Sequence, residues 1–140
     1  MIVLGTNVIS ELMRLTPAAV VVAWVDSLAA SEVSTTAITA AELLYGVGRL
    51  PGGHRKTQVA TAVHGLLSED FGGRILPFDE PAASHYAEMV AARERLGRPI
   101  GRADAQIAAI CRTVGATLAT RNTADFEETG VELIDPWLLG

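Results

Sequence analysis

Cysteine, aromatic side chains and long apolar runs are all scarce in this sequence of 140 residues. The single cysteine, Cys111, excludes an internal disulfide framework and any zinc site built from several thiolates. Because Cys111 follows the apolar run 107–110, we expect a small buried hydrophobe rather than a nucleophile. The longest apolar run, residues 17–25, is far too short to span a bilayer. No signal-peptide pattern precedes the first predicted strand, so the sequence predicts a cytoplasmic protein with no membrane partner.

An excess of positive charge is also absent, since the formal net charge is −5. This balance is not the one typical of nucleic-acid binders. The basic residues are nevertheless clustered: Arg93, Arg95, Arg98 and Arg102 fall within ten residues, and residues 54–56 form a second group. Such clusters usually mark a solvated helix face, and charge alone predicts that role for both.

What the sequence does contain is an informative opening, residues 1–12. The apolar run Ile2-Val3-Leu4 has the length of a buried strand, and the polar turn Gly5-Thr6-Asn7 ends it. Apolar residues then recur at helical spacing up to Leu12. A strand, a turn and a helix in this order open an α/β sheet, in which ligands bind beyond the carboxyl ends of the strands. The turn at 5–7 is therefore expected at the mouth of any site.

The rest of the chain alternates strands with helices. Further strands are predicted near residues 32–36, 74–78, 116–120 and 131–134. Helices are predicted at 17–30 after the N-cap Thr16, at 39–48, 54–67, 79–96 and 102–114, the last closed by Gly115. This alternation predicts an α/β fold in one domain spanning residues 1–140. Its central parallel sheet of four to five short strands is covered by helices on both faces.

Polar residues from separate parts of the chain follow the predicted strands. The candidates beyond the turn at 5–7 are Glu42, Asp104, Asn122 and Asp125. Carboxylates that converge on one crevice suit Mg²⁺ or Mn²⁺, which prefer oxygen ligands. The chain has no thiol cluster and no pair of histidines at ligand spacing, which argues against zinc.

Each of these residues also has a purely structural interpretation. Thr39 and Glu42 have the spacing of a helix capping box, in which Glu42 would only bind a backbone N–H. Asp104 could simply be a favourable charge near a helix N-terminus. Thr6 and Asn7 could cap the first helix, and Asp125 could be a surface turn residue. Spacing alone leaves these alternatives open.

Four segments in order resemble the PIN-domain ribonuclease toxins of the VapC/FitB type. They are the opening residues 2–12, residues 37–43 around Glu42, residues 103–109 around Asp104, and residues 119–126. The segment 74–79 and the ending 135–137 also fit the FitB-like branch. The resemblance implies a PIN-like three-layer sandwich. It further implies an endoribonuclease of a type II toxin–antitoxin system that depends on Mg²⁺ or Mn²⁺.

The resemblance also implies roles for individual residues and for partners. Glu42 and Asp104 match two acidic positions of the family, and Asn122 aligns with the last acid, for which Asp125 could supply the charge. Thr6, Asn7 and Thr120 match polar positions that hold the carboxylates or a water. The basic residues Arg95, Arg98 and Arg102 become candidate RNA-backbone contacts. The implied partners are RNA and a small antitoxin, with DNA reached only through the antitoxin, and the implied assembly is a homodimer or a larger complex with antitoxin.

The chain departs from the family at position 5, where Gly5 replaces an aspartate that is a principal metal ligand. Losing a carboxylate lowers the charge and the coordination number of a metal site, so strongly reduced activity is expected. Glycine would permit a tight turn, although nothing in the adjacent sequence requires one. A disarmed variant, a naturally inactive paralogue and a weakly active enzyme all remain open.

Two other classes of function compete with the ribonuclease. One is a catalytically inactive binding module that sequesters an antitoxin or joins a DNA-bound regulatory complex. The other is a receiver-like phosphotransfer domain, which would place a lysine across the site. The only lysine, Lys56, lies in a predicted surface helix, which argues against the second class.

Overall fold

The computed structural model describes residues 1–139 and contains one five-stranded parallel sheet. The strands are β1 (Ile2–Leu4), β2 (Val33–Thr36), β3 (Ile75–Leu76), β4 (Thr117–Ala119) and β5 (Glu132–Ile134). Their order is β3-β2-β1-β4-β5, and every pairing is parallel. The N-terminal strand is therefore central, and the predicted α/β fold with four to five short strands is confirmed.

Six α-helices cover the two faces of this sheet. They are α1 (Thr6–Leu12), α2 (Ala19–Asp26), α3 (Ala37–Gly48), α4 (His54–Gly65), α5 (Glu80–Arg95) and α6 (Arg102–Val114). One core cluster joins the sheet to α1, α2, α3 and α4, with Leu4, Ile9 and Val21 at its centre. The other joins it to α5 and α6, around Val3, Met89 and Leu118. Successive residues of β1 thus face opposite layers, as the period of a strand requires.

Cys111 lies in the second of these clusters and is fully buried. Burial raises the pKa of its thiol to about 12, because a thiolate loses its hydration inside the core. The expectation of a buried hydrophobe is confirmed. No helix within residues 1–139 is long and apolar enough to cross a membrane.

The start of α2 differs from the predicted start at residue 17. The backbone N–H of Ala18 donates to the Glu11 carboxylate at 2.8 Å, and Ala18 is extended, with φ −60° and ψ 122°. The chain can therefore become helical only at Ala19, and Thr16 is not the N-cap. The predicted end near residue 30 is also too late, since α2 ends at Asp26 and a short 3₁₀ helix follows at Ala30–Glu32.

The capping box predicted at Thr39 is wrong. Helix α3 begins at Ala37, and its N-cap is Thr36, whose side-chain oxygen accepts from the Thr39 backbone N–H at 3.1 Å. Glu42 consequently lies in the second turn of α3, beyond the reach of the cap. Its carboxylate is free to face another part of the molecule.

The caps predicted for α5 and α6 are confirmed. The Asp79 carboxylate accepts from the Ala82 backbone N–H at 3.2 Å, and proline occupies the first turn of α5. Gly115 ends α6 with φ 67°, in the left-handed region that favours glycine. Helix α6 follows its N-cap Gly101, and its first turn carries Asp104. Asp104 lies at the carboxyl edge of the sheet.

Candidate active site

A cleft of about 450 Å³ lies at the carboxyl edge of the sheet, beyond β1 and β4. Its position is the one predicted for a ligand site in an open α/β sheet. Seven of the predicted site residues line it: Gly5, Thr6, Asn7, Glu42, Asp104, Thr120 and Asn122. The predicted residues that do not line it are Asp125, Arg95, Arg98 and Arg102.

The first turn of α1 holds Glu42 in place. The Thr6 hydroxyl donates to Glu42 Oε1 at 2.6 Å and also lies 3.1 Å from the Thr39 hydroxyl. Thr39 is fully buried and is itself bonded to the Thr36 cap. A chain of hydroxyl groups therefore connects the buried end of β2 to one oxygen of the Glu42 carboxylate, and the other oxygen has no protein partner within residues 1–139.

A second group of hydrogen bonds joins α1 to the segment after β4. Asn7 Nδ2 donates to Thr120 Oγ1 at 3.2 Å, and the Arg121 backbone N–H donates to Asn7 Oδ1 at 3.4 Å. Thr120 Oγ1 also accepts from the Asn122 backbone N–H at 3.1 Å. The two bonds of Asn7 join residues more than a hundred positions apart, and the third holds Asn122 beside Thr120. Asn7 and Thr120, which the resemblance assigned to holding carboxylates or a water, therefore accept hydrogen bonds from the backbone N–H groups of residues 121 and 122.

Asp104 also lines the cleft and is half-buried. Burial raises the pKa of its carboxyl group, and the negative charges of Asp125 and then Glu42 raise it further. Asp125 is an exposed residue of the short 3₁₀ helix Thr123–Phe126. Its charge nevertheless reaches Asp104, so three carboxylates from α3, α6 and this short helix create one negative potential at the edge of the cleft.

This donor set fits a hard cation only in part. Within residues 1–139, no three carboxylate, imidazole or thiolate side chains converge closely enough to form a preformed metal cage. Magnesium, however, often takes only one or two protein carboxylates and retains several waters. Glu42 with its free oxygen and Asp104 with its raised proton affinity fit that mode, because a cation would relieve the repulsion between them.

The backbone of β4 lies so close to Gly5 that it leaves little space for a side chain at position 5. A β-carbon built on Gly5 would lie 2.9 Å from the backbone oxygen of Ala119, closer than such carbons approach in proteins. The Gly5 backbone N–H already donates to that oxygen at 2.9 Å. The expectation that nothing nearby requires glycine is therefore wrong for this structure, since a larger residue needs β1 and β4 to move slightly apart. The backbone itself, at φ −74°, suits any residue.

The predicted RNA-contacting arginines lie away from the cleft. Arg98 is paired with Glu127 at 3.1 Å, and Arg95 and Arg102 are exposed. Arg93, from the same basic group, is buried. The arginine that does line the cleft is Arg14, whose Nη1 lies 3.2 Å from Glu11 Oε1.

Three polar residues of the cleft were missed in the sequence: Ser10, Glu11 and Arg14. Glu11 is buried, and hydrogen bonds from Ala18 and Arg14 lower the pKa of its carboxyl group against the opposing effect of burial. The spacing could have revealed Ser10 and Glu11, because they follow Thr6 and Asn7 by three or four positions and so share one face of α1. Arg14 lies beyond the end of α1, and its spacing gave no such signal.

Comparison with known proteins agrees with this geometry. A model of the PIN domain matches residues 2–132. VapC ribonuclease Y4jK of Sinorhizobium fredii is 42% identical over 137 residues, which are 98% of each protein. Toxin FitB of Neisseria gonorrhoeae is 43% identical over 98% of this chain and 99% of its own. The solved structure of FitAB bound to an IR36 DNA fragment superposes with a TM-score of 0.94 at 42% identity, covering 100% of this chain and 98% of that chain.

The match covers almost the whole of this chain and of its relatives, and both the strand order and the cleft lie within it. Ribonucleases with PIN domains generally depend on divalent metal ions. The chain belongs to the PIN-domain family and, within it, to the toxins of the VapC and FitB type.

Proposed function

We propose that this chain is the toxin of a type II toxin–antitoxin pair whose chemistry is Mg²⁺- or Mn²⁺-dependent cleavage of RNA. The observation that carries the proposal is the cleft beyond β1 and β4, which both Glu42 and Asp104 line. Residues 1–140 would act as one domain, in the cytoplasm, as a homodimer bound to a cognate antitoxin. The relative FitB is found with FitA on DNA, and we propose that this chain likewise reaches DNA only through its antitoxin.

The residues in and around the cleft would have separate roles in this chemistry. A bound divalent ion would polarise the phosphate and lower the pKa of a water. Glu42, fixed by Thr6, and Asp104 would hold that ion. Asn122 would orient a water at the rim, and Arg95, Arg98 and Arg102 would contact the RNA backbone outside the cleft.

The activity of this chain is expected to be much lower than that of a relative with aspartate at position 5. Without that carboxylate, an ion would depend on the side chains of Glu42 and Asp104. Loss of a ligand should weaken metal binding by more than the roughly 10–100-fold typical of a lost supporting hydrogen bond.

A catalytically inactive binding module is the second candidate, and two observations favour it. Within residues 1–139 no three acidic ligands converge. The close approach of Gly5 to Ala119 also shows packing adapted to glycine. In this function the chain would retain its antitoxin-binding surface and would sequester the antitoxin or join its DNA-bound complex without cleaving RNA.

The test compares Gly5→Asp with Gly5→Asn, both freed of antitoxin, on structured RNA with Mn²⁺ and with EDTA. The two variants place the same number of atoms against Ala119, so they share any cost of moving β4 and differ in charge. If Gly5→Asp cleaves faster than both Gly5→Asn and the parent chain, and EDTA stops it, the ribonuclease function is supported.

A further variant, Gly5→Asp with Asp104→Asn, should be inactive if the cleavage arises in this cleft. If no version cleaves RNA while all of them fold and bind the antitoxin, the ribonuclease proposal fails and the binding module replaces it.

A further inference from the structure

Arg93 is a buried arginine without an acidic partner. It lies in the last turns of α5 with 4% of its surface exposed, and no carboxylate within residues 1–139 forms an ion pair with it. A buried charge is costly unless hydrogen bonds replace its hydration. Three backbone oxygens do so here, and their places in the chain indicate a role beyond packing.

The first of these oxygens belongs to the loop that leads into α6. Arg93 Nε donates to the Arg98 oxygen at 2.7 Å, and the Arg98 backbone N–H donates to the Arg93 oxygen at 3.0 Å. This loop continues into the first turn of α6, which carries Asp104. One edge of the guanidinium therefore fixes the entry of the helix that presents Asp104 to the cleft.

The other two oxygens belong to the segment that carries Asp125. Arg93 Nη1 donates to the Asp125 oxygen at 3.1 Å and to the Glu127 oxygen at 2.7 Å. The segment 122–127 lies between β4 and β5, and its own backbone bonds are few, the Glu127 N–H to the Ala124 oxygen being 3.5 Å long. Besides Arg93, the buried Phe126 and the ion pair of Glu127 with Arg98 connect it to other elements, and the Thr129 hydroxyl donates locally to the Phe126 oxygen at 2.6 Å.

We propose that Arg93 is a positioning residue for the metal site: its guanidinium holds the segments of Asp104 and Asp125 at one separation, so that the Asp125 carboxylate acts on the cleft. The inference rests on the proposed metal-dependent function. It also explains how Asp125 contributes although Asn122, at the aligned position, is uncharged. Arginine suits this task because its planar fork presents several donors at fixed angles, whereas a lysine ammonium is a single point on a flexible stem.

The test measures Mn²⁺ affinity by electron paramagnetic resonance in the antitoxin-free chain, with folding checked by circular dichroism. Arg93→Met should weaken Mn²⁺ binding by about 10-fold, the lower end of the range for supporting residues. Arg93→Lys keeps the charge and should lose less. The matched control is Arg49→Met, which removes an exposed arginine that lies over the Tyr45 ring and should leave the affinity unchanged.

A double-mutant cycle separates positioning from general loosening of the fold. Because part of the proposed effect of Arg93 is exerted through Asp125, Arg93→Met should weaken Mn²⁺ binding less once Asp125→Asn is present than it does in the parent chain. Hydrogen exchange should meanwhile become faster at the amides of residues 122–127 in Arg93→Met.

Two outcomes would overturn the inference while leaving the proposed function intact. One is a folded Arg93 variant that binds Mn²⁺ like the parent chain. The other is an effect of Arg93→Met that adds fully to that of Asp125→Asn. If the parent chain and Gly5→Asp both bind no Mn²⁺, the metal-dependent function itself fails, and this role of Arg93 fails with it.

Discussion

At the scale of single residues, Thr6 links the buried core to the carboxylate of Glu42 in the cleft. Its hydroxyl group bonds one oxygen of Glu42 and contacts the buried Thr39. Thr6→Val keeps the shape of the side chain and removes this donor, so the Glu42 carboxylate should lose its fixed orientation. We expect Mn²⁺ affinity to fall by roughly 10-fold, as for other supporting hydrogen bonds. Titration of Mn²⁺ by electron paramagnetic resonance measures the change.

The control for this change is Thr6→Ser, which retains the hydroxyl group and should bind Mn²⁺ like the parent chain. Equal affinities for the valine and serine variants would show that the bond between Thr6 and Glu42 does not support the site.

Asp104 gives a second prediction at this scale, concerning pH. Its pKa is higher in the folded chain than the ordinary 3.8, because burial and the charges of Asp125 and Glu42 disfavour the carboxylate. The folded state then binds the proton more tightly than the unfolded state, so stability falls as pH rises from the unfolded pKa through the folded one. Asp104→Asn removes this loss and should stabilise the chain at neutral pH.

Urea unfolding in EDTA measures the effect. The gain in the free energy of unfolding should be largest at neutral pH and should shrink toward about pH 3, where an aspartate is protonated in both states. A gain that is the same at both pH values would instead reflect the hydrogen bonds of the new amide group.

At the scale of elements, the cap of α5 gives a prediction remote from the cleft. Asp79→Ala removes the oxygen that accepts from the Ala82 backbone N–H and should lower the free energy of unfolding by about 1 kcal/mol. Asp79→Asn keeps an acceptor and should cost only a fraction of that. Chemical denaturation measures both, and equal losses for the two variants would contradict a capping role.

Local signals of this kind explain which elements could be predicted from the sequence. Asp79 and Gly115 act on their own helices, so their spacing predicted α5 and α6 correctly. The start of α2 could not be predicted, because a distant carboxylate, that of Glu11, caps the Ala18 N–H. The capping box at Thr39 failed for a related reason: Thr36, at the end of β2, is the better placed cap.

In the candidate site, too, some residues could be predicted from the sequence and others could not. Glu42 and Asp104 could be predicted because each follows a strand or opens a helix at the carboxyl edge of the sheet. The distribution of the arginines could not be predicted. Arg93, Arg95, Arg98 and Arg102 form one basic run in the sequence, but helix geometry buries the first and exposes the others. Only tertiary structure shows that Arg93 binds backbone carbonyl groups.

At the scale of the whole molecule, Cys111 reports on global unfolding. Its side chain is fully buried between α6 and the sheet, and its raised pKa leaves almost no thiolate at neutral pH. We expect a disulfide reagent such as Ellman's reagent to react only when the chain unfolds, since the thiolate is the nucleophile.

The reaction rate at increasing urea concentrations, with fully denatured chain as the reference, measures this protection. Rapid reaction in native buffer would show that the core around Cys111 opens without global unfolding.

The order of the strands determines how much of the chain must be made before the cleft can form. The first strand to leave the ribosome, β1, is central, and its neighbour β4 ends only at Ala119. The cleft also needs Asp104 and Thr120. A ribosome must therefore complete nearly the whole chain before any cleft exists, and chains that end before β4 lack the cleft. An antitoxin already present would thus meet each new toxin molecule before or as its cleft closes.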